Sequence, residues 1–349
     1  MKSYFRKEID AIAGYVPGEQ PKVANLIKLN TNENPYPPSP KVISAKQELD
    51  QLRLYPDPVA KDLVDTIAAY HGLDSSQVFV GVGSDDVLAM SFMTFFNSDK
   101  PIFFPDITYS FYDVWAELFK ISYEKKALNN AFELVAEDYY VENGGVIFPN
   151  PNAPTGLVVE LDFIREILEH NQDVVVIIDE AYIDFGGKSA CALIDEYENL
   201  LVIRTYSKSR AMAGIRIGYA MGSAALIKAL NDVKYSFNSY TMNYPSIVLG
   251  VESIKDEEYF QRTIQDVIKT REWFESELTK LGFTYPKSSA NFVFATHKTV
   301  PAKTIFEAAK KENIYVRHFN APRIDNYLRI TIGTDEQMQT FLDFLKKIV

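Results

Sequence analysis

Leu200-Leu201-Val202-Ile203-Arg204-Thr205-Tyr206-Ser207-Lys208 opens with four apolar residues in succession and ends on a lysine set among hydroxyls. The apolar run has no polar alternation, so it reads as a short buried strand. The continuation, Ser209-Arg210-Ala211-Met212-Ala213-Gly214-Ile215-Arg216, brings two arginines close to that lysine. A solvated loop could carry Lys208 with no further meaning. Neighbouring cations and partial desolvation instead lower an ammonium pKa and free the amine as a nucleophile, the form needed for Schiff-base chemistry with an aldehyde.

Similar runs lie on either side. Val78-Phe79-Val80-Gly81, Lys100–Phe104, Gly145–Phe148 and Val174–Ile178 are short, apolar and rich in β-branched or aromatic residues. Helix-like segments such as Asp85–Phe96 and Leu161–His170 separate them. Strands of this kind alternating with helices predict an α/β fold, with a mostly parallel sheet covered by helices on both faces. The last third differs: long amphipathic helices (Asp256–Leu281, Ala302–Glu312) alternate with Asn291–Phe294 and Tyr327–Ile332. That pattern predicts a smaller α+β domain. The expected division is a large domain over 36–244, and a small one over 245–349 joined by an N-terminal arm at 1–35.

Composition narrows the function. The 349 residues have a net charge of −11, which argues against a general nucleic-acid binder. Cys191 is the single cysteine, so no internal disulfide framework exists and a reducing, cytoplasmic setting is expected. Met1–Glu8 lacks the apolar core of a signal peptide, and no run reaches the ~20 residues of a membrane span. Four histidines without an H-x-x-x-H pair, and no cysteine pair, leave no expected metal site.

In sheets of this class ligands bind beyond the carboxyl ends of the strands. Five loops follow such ends. Gly81-Val82-Gly83-Ser84-Asp85-Asp86 combines glycines, a hydroxyl and a new helix start, which suits a phosphate; an ordinary Ser/Asp cap would look the same. No Walker or dinucleotide fingerprint is completed. Tyr109, in Pro105-Asp106-Ile107-Thr108-Tyr109, could offer a face to a flat heterocycle. Asn150-Pro151-Asn152-Ala153-Pro154-Thr155-Gly156 supplies amides on a stiff turn, or is only a turn. Asp179-Glu180-Ala181-Tyr182 ends an apolar strand in a carboxylate that is costly to bury without a cation, and a protonated ring nitrogen is one such cation. The fifth loop holds Lys208.

Taken in order, these loops resemble the fold-type-I pyridoxal-phosphate aminotransferases: Gly-rich turn, Tyr, N-P-N-x-P-T-G, D-E-A-Y, S-K, and an Arg eight beyond the lysine. Asp179 and Lys208 are 29 positions apart, close to the interval of that family. Leu29–Tyr36, Arg53-Leu54-Tyr55-Pro56 and Leu328–Thr334 are similar to its histidinol-phosphate branch. The resemblance covers residues from about Ile12 to Ile348. It implies that Lys208 joins the cofactor aldehyde and later moves a proton from the substrate Cα, and that Asp179 pairs with the pyridinium. It implies Tyr182 and an Asn of the N-P-N loop on the ring oxygen, and Tyr109 stacked on the ring. The cofactor phosphate would be held by the Gly83 turn with Ser84 and Asp85, and by Thr205, Ser207 and Arg216. Tyr55 would reach the phosphate of a second subunit, which implies a homodimer with shared active sites. Tyr15, Asn32, Arg317 and Arg329 would bind substrate, the arginines facing a phosphate.

One position departs from the family pattern. Ala153 stands where relatives carry Asn, and Asn152, shifted slightly, is expected to replace the missing hydrogen bond in preference to Asn150. Losing that bond would raise the pKa of the lysine–cofactor linkage. The activity implied is transamination of L-histidinol phosphate with 2-oxoglutarate, in histidine biosynthesis. Decarboxylation of threonine phosphate and transamination of aromatic amino acids stay open beside it. The Gly/Pro content of Lys2–Asn34 suggests a lid.

Overall fold

The structure, a computed structural model, describes residues 13–45, 52–96 and 98–349. The stretch Met1–Glu8 lies outside the described residues, as does the beginning of the arm expected to act as a lid.

After a short strand, β1 (Ile27–Lys28), seven strands form the main sheet. They are β2 (Val78–Gly81), β3 (Ile102–Pro105), β4 (Tyr123–Lys126), β5 (Val146–Pro149), β6 (Val176–Asp179), β7 (Leu200–Thr205) and β8 (Gly218–Gly222). Their spatial order is β2-β8-β7-β6-β5-β3-β4. Neighbours from β4 to β7 run parallel, and β8 is antiparallel to both β7 and β2. Strands β2, β3, β5, β6 and β7 therefore point their carboxyl ends to one edge of the sheet.

The helices of this part are α1 (Pro40–Ser44), α2 (Lys61–His71), α3 (Ser84–Phe95), α4 (Phe111–Phe119), α5 (Leu161–His170), α6 (Ala224–Phe237) and α7 (Tyr244–Ile254). Strand residues alternate between two cores. Val146, Phe148, Val176, Ile178, Leu200 and Val202 face α2, α5 and α7, whereas Ile147, Ile177, Leu201 and Ile203 face α3, α4 and α6. Burial on both faces explains why these strands read as unbroken apolar runs. Each such side chain withdrawn from water contributes about 1.5–3 kcal/mol.

The second part comprises α8 (Glu257–Leu281), β9 (Phe283–Thr284), β10 (Phe292–His297), α9 (Ala302–Lys311), β11 (Ile314–Tyr315), β12 (Arg317–His318), β13 (Leu328–Thr331) and α10 (Asp335–Ile348). Strands β12-β13-β10-β9 make an antiparallel sheet, and β1 pairs with β11. Helices α8, α9 and α10 share a separate core with Val293, Ile330 and Leu29. Helix α7 does not join it. Although the expected division placed residues from 245 in the small domain, Ile247, Leu249 and Ile254 pack into the first core. Among the described residues no helix is long and apolar enough to cross a membrane.

Candidate active site

The carboxyl edge of the main sheet holds a cavity of about 190 Å³, and Lys208 and Tyr182 lie in the wall that it shares with a second cavity. Asp179, the last residue of β6, lines the first and is 4 % exposed. Its carboxylate accepts from the Tyr112 hydroxyl at 3.0 Å and from the Ala181 N–H at 3.2 Å. Burial raises this carboxyl to about 6, against the pull of those two hydrogen bonds. None of the ion pairs among the described residues includes it. A buried acid with neutral partners at the end of a cavity calls for a cation from outside the chain.

Lys208 follows β7 by three residues. Its Nζ donates to the Thr31 carbonyl at 3.3 Å and lies 5.7 Å from the centre of the Tyr182 ring. The backbone beneath it is tied down. Asn34 Nδ2 donates to the carbonyls of Lys208 and Ser209 at 3.0 and 3.1 Å. The Ser209 hydroxyl donates to Asp184 at 2.6 Å, and Arg204 pairs with the same carboxylate. Burial alone would raise Asp184, and the Arg204 guanidinium overrides it and holds the carboxyl low. Glu180 turns away from the cavity to Ser189 and the Ala190 N–H, and burial pushes it up to about 7.

The other end of the cavity is built for an anion. Helix α3 starts after Gly83, whose φ of 87° is open to glycine and which offers no side-chain cap. Its first N–H groups and its dipole are thus available to a ligand. Arg216 Nη1 donates to Ser207 Oγ at 3.3 Å, and its Nη2 lies 3.6 Å from Asp85. Ser84, Asp85, Ser207 and Arg216 all line the cavity. Gly218 presses on the backbone of Gly83 and Ser84, where a Cβ would clash. We predict that Gly218→Ala displaces this turn and weakens retention of a phosphorylated ligand by about tenfold or more, measured by equilibrium dialysis. An unchanged dissociation constant would remove the turn from the anion site. The Tyr109 hydroxyl donates to Asp85 at 2.8 Å, and burial, then that carboxylate, raises the phenol well above its usual range.

The second cavity, of about 140 Å³, is bounded by Tyr15, Asn32, Arg317, Phe319 and Arg329 as well as by Lys208 and Tyr182. Among the described residues no Asp or Glu lines it. Arg329 Nη2 donates to the Asn30 carbonyl at 3.0 Å, its Nε is buried without a partner among the described residues, and burial, reinforced by Arg317, lowers its pKa. It stays a cation all the same. Tyr15 stacks on Phe111 at 4.3 Å.

Three expected residues sit elsewhere. Asn152 does not line either cavity: Nδ2 donates to the Ile107 carbonyl and Thr155 Oγ1 at 3.0 and 3.1 Å, and Oδ1 accepts from Thr108 at 3.0 Å. The shift expected of it is therefore corrected, because both ends of the amide are spent on Thr155 of its own loop and on Ile107 and Thr108 of the loop after β3. Asn150 is likewise occupied by the backbone of Val159, and Ala153 itself forms the wall. Thr205 also lies off the cavity, accepting from the Ser207 N–H at 3.1 Å and so shaping the lysine loop. Tyr55 is 81 % exposed and stacks on Tyr240 at 4.6 Å, away from this site. Tyr112, Asn34 and Phe319 were not singled out from the sequence. Only the three-residue spacing of Tyr112 from Tyr109, at the start of a helix, could have pointed to it.

An amine, an unpaired buried acid and an anion cradle around one cavity define the site of an enzyme that uses a phosphorylated aldehyde with a basic ring nitrogen. The residues fit pyridoxal phosphate: the acid matches the ring nitrogen, the α3 turn with Arg216 matches the phosphate, and Lys208 lines the same cavity. The aminotransferase class I and II family matches residues 24–345, and the chain belongs to that pyridoxal-phosphate-dependent family. It is 52% identical to a histidinol-phosphate aminotransferase of Clostridium botulinum, over 100% of this chain and 99% of that protein. A solved histidinol-phosphate aminotransferase of Clostridium acetobutylicum superposes with a TM-score of 0.85 at 25% identity, covering 93% of this chain and 99% of that one. One from Sinorhizobium meliloti, in complex with pyridoxal-5′-phosphate, shares the fold at a TM-score of 0.88 and 19% identity, covering 99% of this chain and 98% of that one.

Proposed function

We propose that this enzyme transfers the amino group of L-histidinol phosphate to 2-oxoglutarate, giving imidazole-acetol phosphate and L-glutamate. The observation that carries this reading is the second cavity, where Arg317 and Arg329 converge beside Lys208 with no acid among the described residues that line it. Two arginines without a carboxylate partner suit a phosphate dianion. The same pair suits the distal carboxylate of 2-oxoglutarate, which has to use the site in the second half of the reaction.

Pyridoxal phosphate, when bound, supplies the aldehyde that captures the amino group and the ring that accepts the electrons released at Cα. Lys208 would take the proton from the substrate Cα at its Nζ as general base and, as general acid, deliver it to the cofactor carbon that carried the aldehyde. Asp179 holds the ring nitrogen protonated. Ser84, Ser207 and Arg216 fix the phosphate, Tyr109 offers its ring face, and Tyr182 points a hydroxyl at the ring oxygen. Arg317, Arg329 and Tyr15 orient the substrate.

Glutamate-dependent amination of imidazole-acetol phosphate tests the reading directly. Release of carbon dioxide from threonine phosphate, or faster turnover of phenylalanine, would overturn it. Arg329→Gln is expected to raise KM for histidinol phosphate by about 100-fold with a smaller change in kcat, and a KM within threefold of the parent would remove Arg329 from the substrate site.

A second copy of the chain completes the proposal. Leu52, Leu54, Tyr55, Val59, Phe237 and Tyr240 are each exposed and Tyr55 stacks on Tyr240, apolar side chains of the kind that a partner covers. Tyr55 would then serve the neighbour's phosphate site. A reducing cytoplasm suits this enzyme and its lone Cys191.

A further inference from the structure

Tyr182 has one proton to give, and its surroundings decide where that proton goes. The phenol oxygen accepts from Asn32 Nδ2 at 2.9 Å. With an N–H facing that oxygen, the hydroxyl proton has to leave in another direction. No acceptor among the described residues receives it, and Tyr182 lines the cavity that holds Lys208 and Asp179. The proton is therefore free to point into that cavity.

Asn32 cannot turn its amide around. Its backbone N–H donates to Thr331 Oγ1 at 3.0 Å, so the Thr331 hydroxyl sends its own proton onward, to Asn32 Oδ1 at 2.9 Å. That leaves Nδ2 facing Tyr182. The backbone is fixed as well: Asn32 has a φ of 56°, a left-handed conformation that asparagine tolerates, and its carbonyl accepts from Asn291 Nδ2 at 3.0 Å. The residue is 1 % exposed. Across the cavity Ala153 offers no side-chain donor, and the Asn152 amide is engaged by Ile107, Thr108 and Thr155.

We propose that Asn32 is a positioning residue, pinned by Thr331, that sets the Tyr182 hydroxyl as a donor toward the ring oxygen of the cofactor. The inference rests on the cofactor assignment made above. Because Ala153 has no side chain to donate at that oxygen, Tyr182 carries the side-chain contact, and the Thr331–Asn32–Tyr182 chain of hydrogen bonds gives it direction.

The isosteric Asn32→Asp reverses the sense of the bond: a carboxylate accepts, so the Tyr182 proton turns to it and away from the cavity. Thr331→Val releases the amide without adding charge, and Thr331→Ser keeps the pin. Holoenzyme reconstituted with pyridoxal phosphate is titrated through its visible band, and cofactor retention is measured by equilibrium dialysis. Asn32→Asp, Thr331→Val and Tyr182→Phe are each expected to raise the midpoint of the band by up to about one pH unit and to weaken retention about tenfold. Thr331→Ser should match the parent. The Asn32→Asp/Tyr182→Phe double variant should shift no further than Tyr182→Phe alone. An unmoved midpoint in both Asn32→Asp and Thr331→Val, or full additivity in the double variant, would overturn the proposal. A parent protein that forms no visible band would overturn the cofactor assignment, and this inference with it.

Discussion

Lys208→Ala is expected to lower turnover by about 10⁴-fold or more, since one side chain supplies both nucleophile and general base. The loss should not come from unfolding. Lys208 Nζ makes one hydrogen bond, to the Thr31 carbonyl, and the loop around it is held by Asn34 on the backbone and by the Asp184–Arg204–Ser209 cluster. The contacts that hold the loop do not use the lysine side chain. The anion cradle of Ser207, Arg216 and the α3 turn is also intact in the variant, so pyridoxal phosphate should still bind, without a covalent link. Cofactor stoichiometry after dialysis, set beside kcat, separates the two effects. Activity within tenfold of the parent would remove Lys208 from the chemistry.

Asp179→Asn has the second largest expected effect, and it has two signs. Turnover should fall about 10³-fold or more, because a neutral amide no longer holds the ring nitrogen protonated. The cofactor-free protein should become more stable. Burial raises the Asp179 carboxyl from an ordinary 3.8 to about 6 in the folded chain. A raised carboxyl pKa means that the folded state binds the proton more tightly than the unfolded state does. Its stabilising contribution is present below pH 4 and is lost as pH rises through about 6. The ionised group then costs about 3 kcal/mol at pH 7–8. Asparagine can keep the Ala181 N–H on its Oδ1 while its Nδ2 donates to the Tyr112 oxygen, whose hydroxyl rotates, without that charge. Apo Asp179→Asn should therefore melt above the apo parent at pH 8, with the difference shrinking toward pH 4. In the holoenzyme the order should narrow or reverse, because the pyridinium compensates the carboxylate of the parent. A variant less stable than the apo parent at pH 8 would contradict the unpaired-acid reading.

Legibility in the sequence followed burial. Strands β2, β3, β5, β6 and β7 are covered on both faces and spelled themselves out as apolar runs. Two strands of the same sheet did not. Strand β4, Tyr123-Glu124-Lys125-Lys126, lies at the sheet edge with exposed charges, and β8, Gly218-Tyr219-Ala220-Met221-Gly222, is framed by glycines that fit against neighbouring backbone. Pairing set by tertiary contact leaves little local trace. Helix α7 was assigned to the small domain because nothing local says which core its apolar face will join.

The site divides the same way. Asp179, Lys208, Ser84 and Arg216 were readable because they respectively end a strand, follow one, start a helix and lead into β8 at the carboxyl edge, where topology brings ligands. Asn152 was misread because its neighbours Thr108, Ile107 and Thr155 compete for its amide, which spacing along the chain does not reveal. Asn32 and Tyr182 are 150 positions apart, and Asn32 and Thr331 are 299 apart. Only the folded chain brings them into one line.

The central claim is that Lys208, Asp179 and the two arginines act together on a phosphorylated amine. The most direct measurement is the visible spectrum of the pyridoxal-phosphate holoenzyme on addition of L-histidinol phosphate, without an acceptor. The band should disappear as imidazole-acetol phosphate forms in a 1:1 ratio to active sites, and 2-oxoglutarate should restore it with release of glutamate. A band that persists in histidinol phosphate yet responds to phenylalanine, or carbon dioxide release from threonine phosphate, would contradict the account.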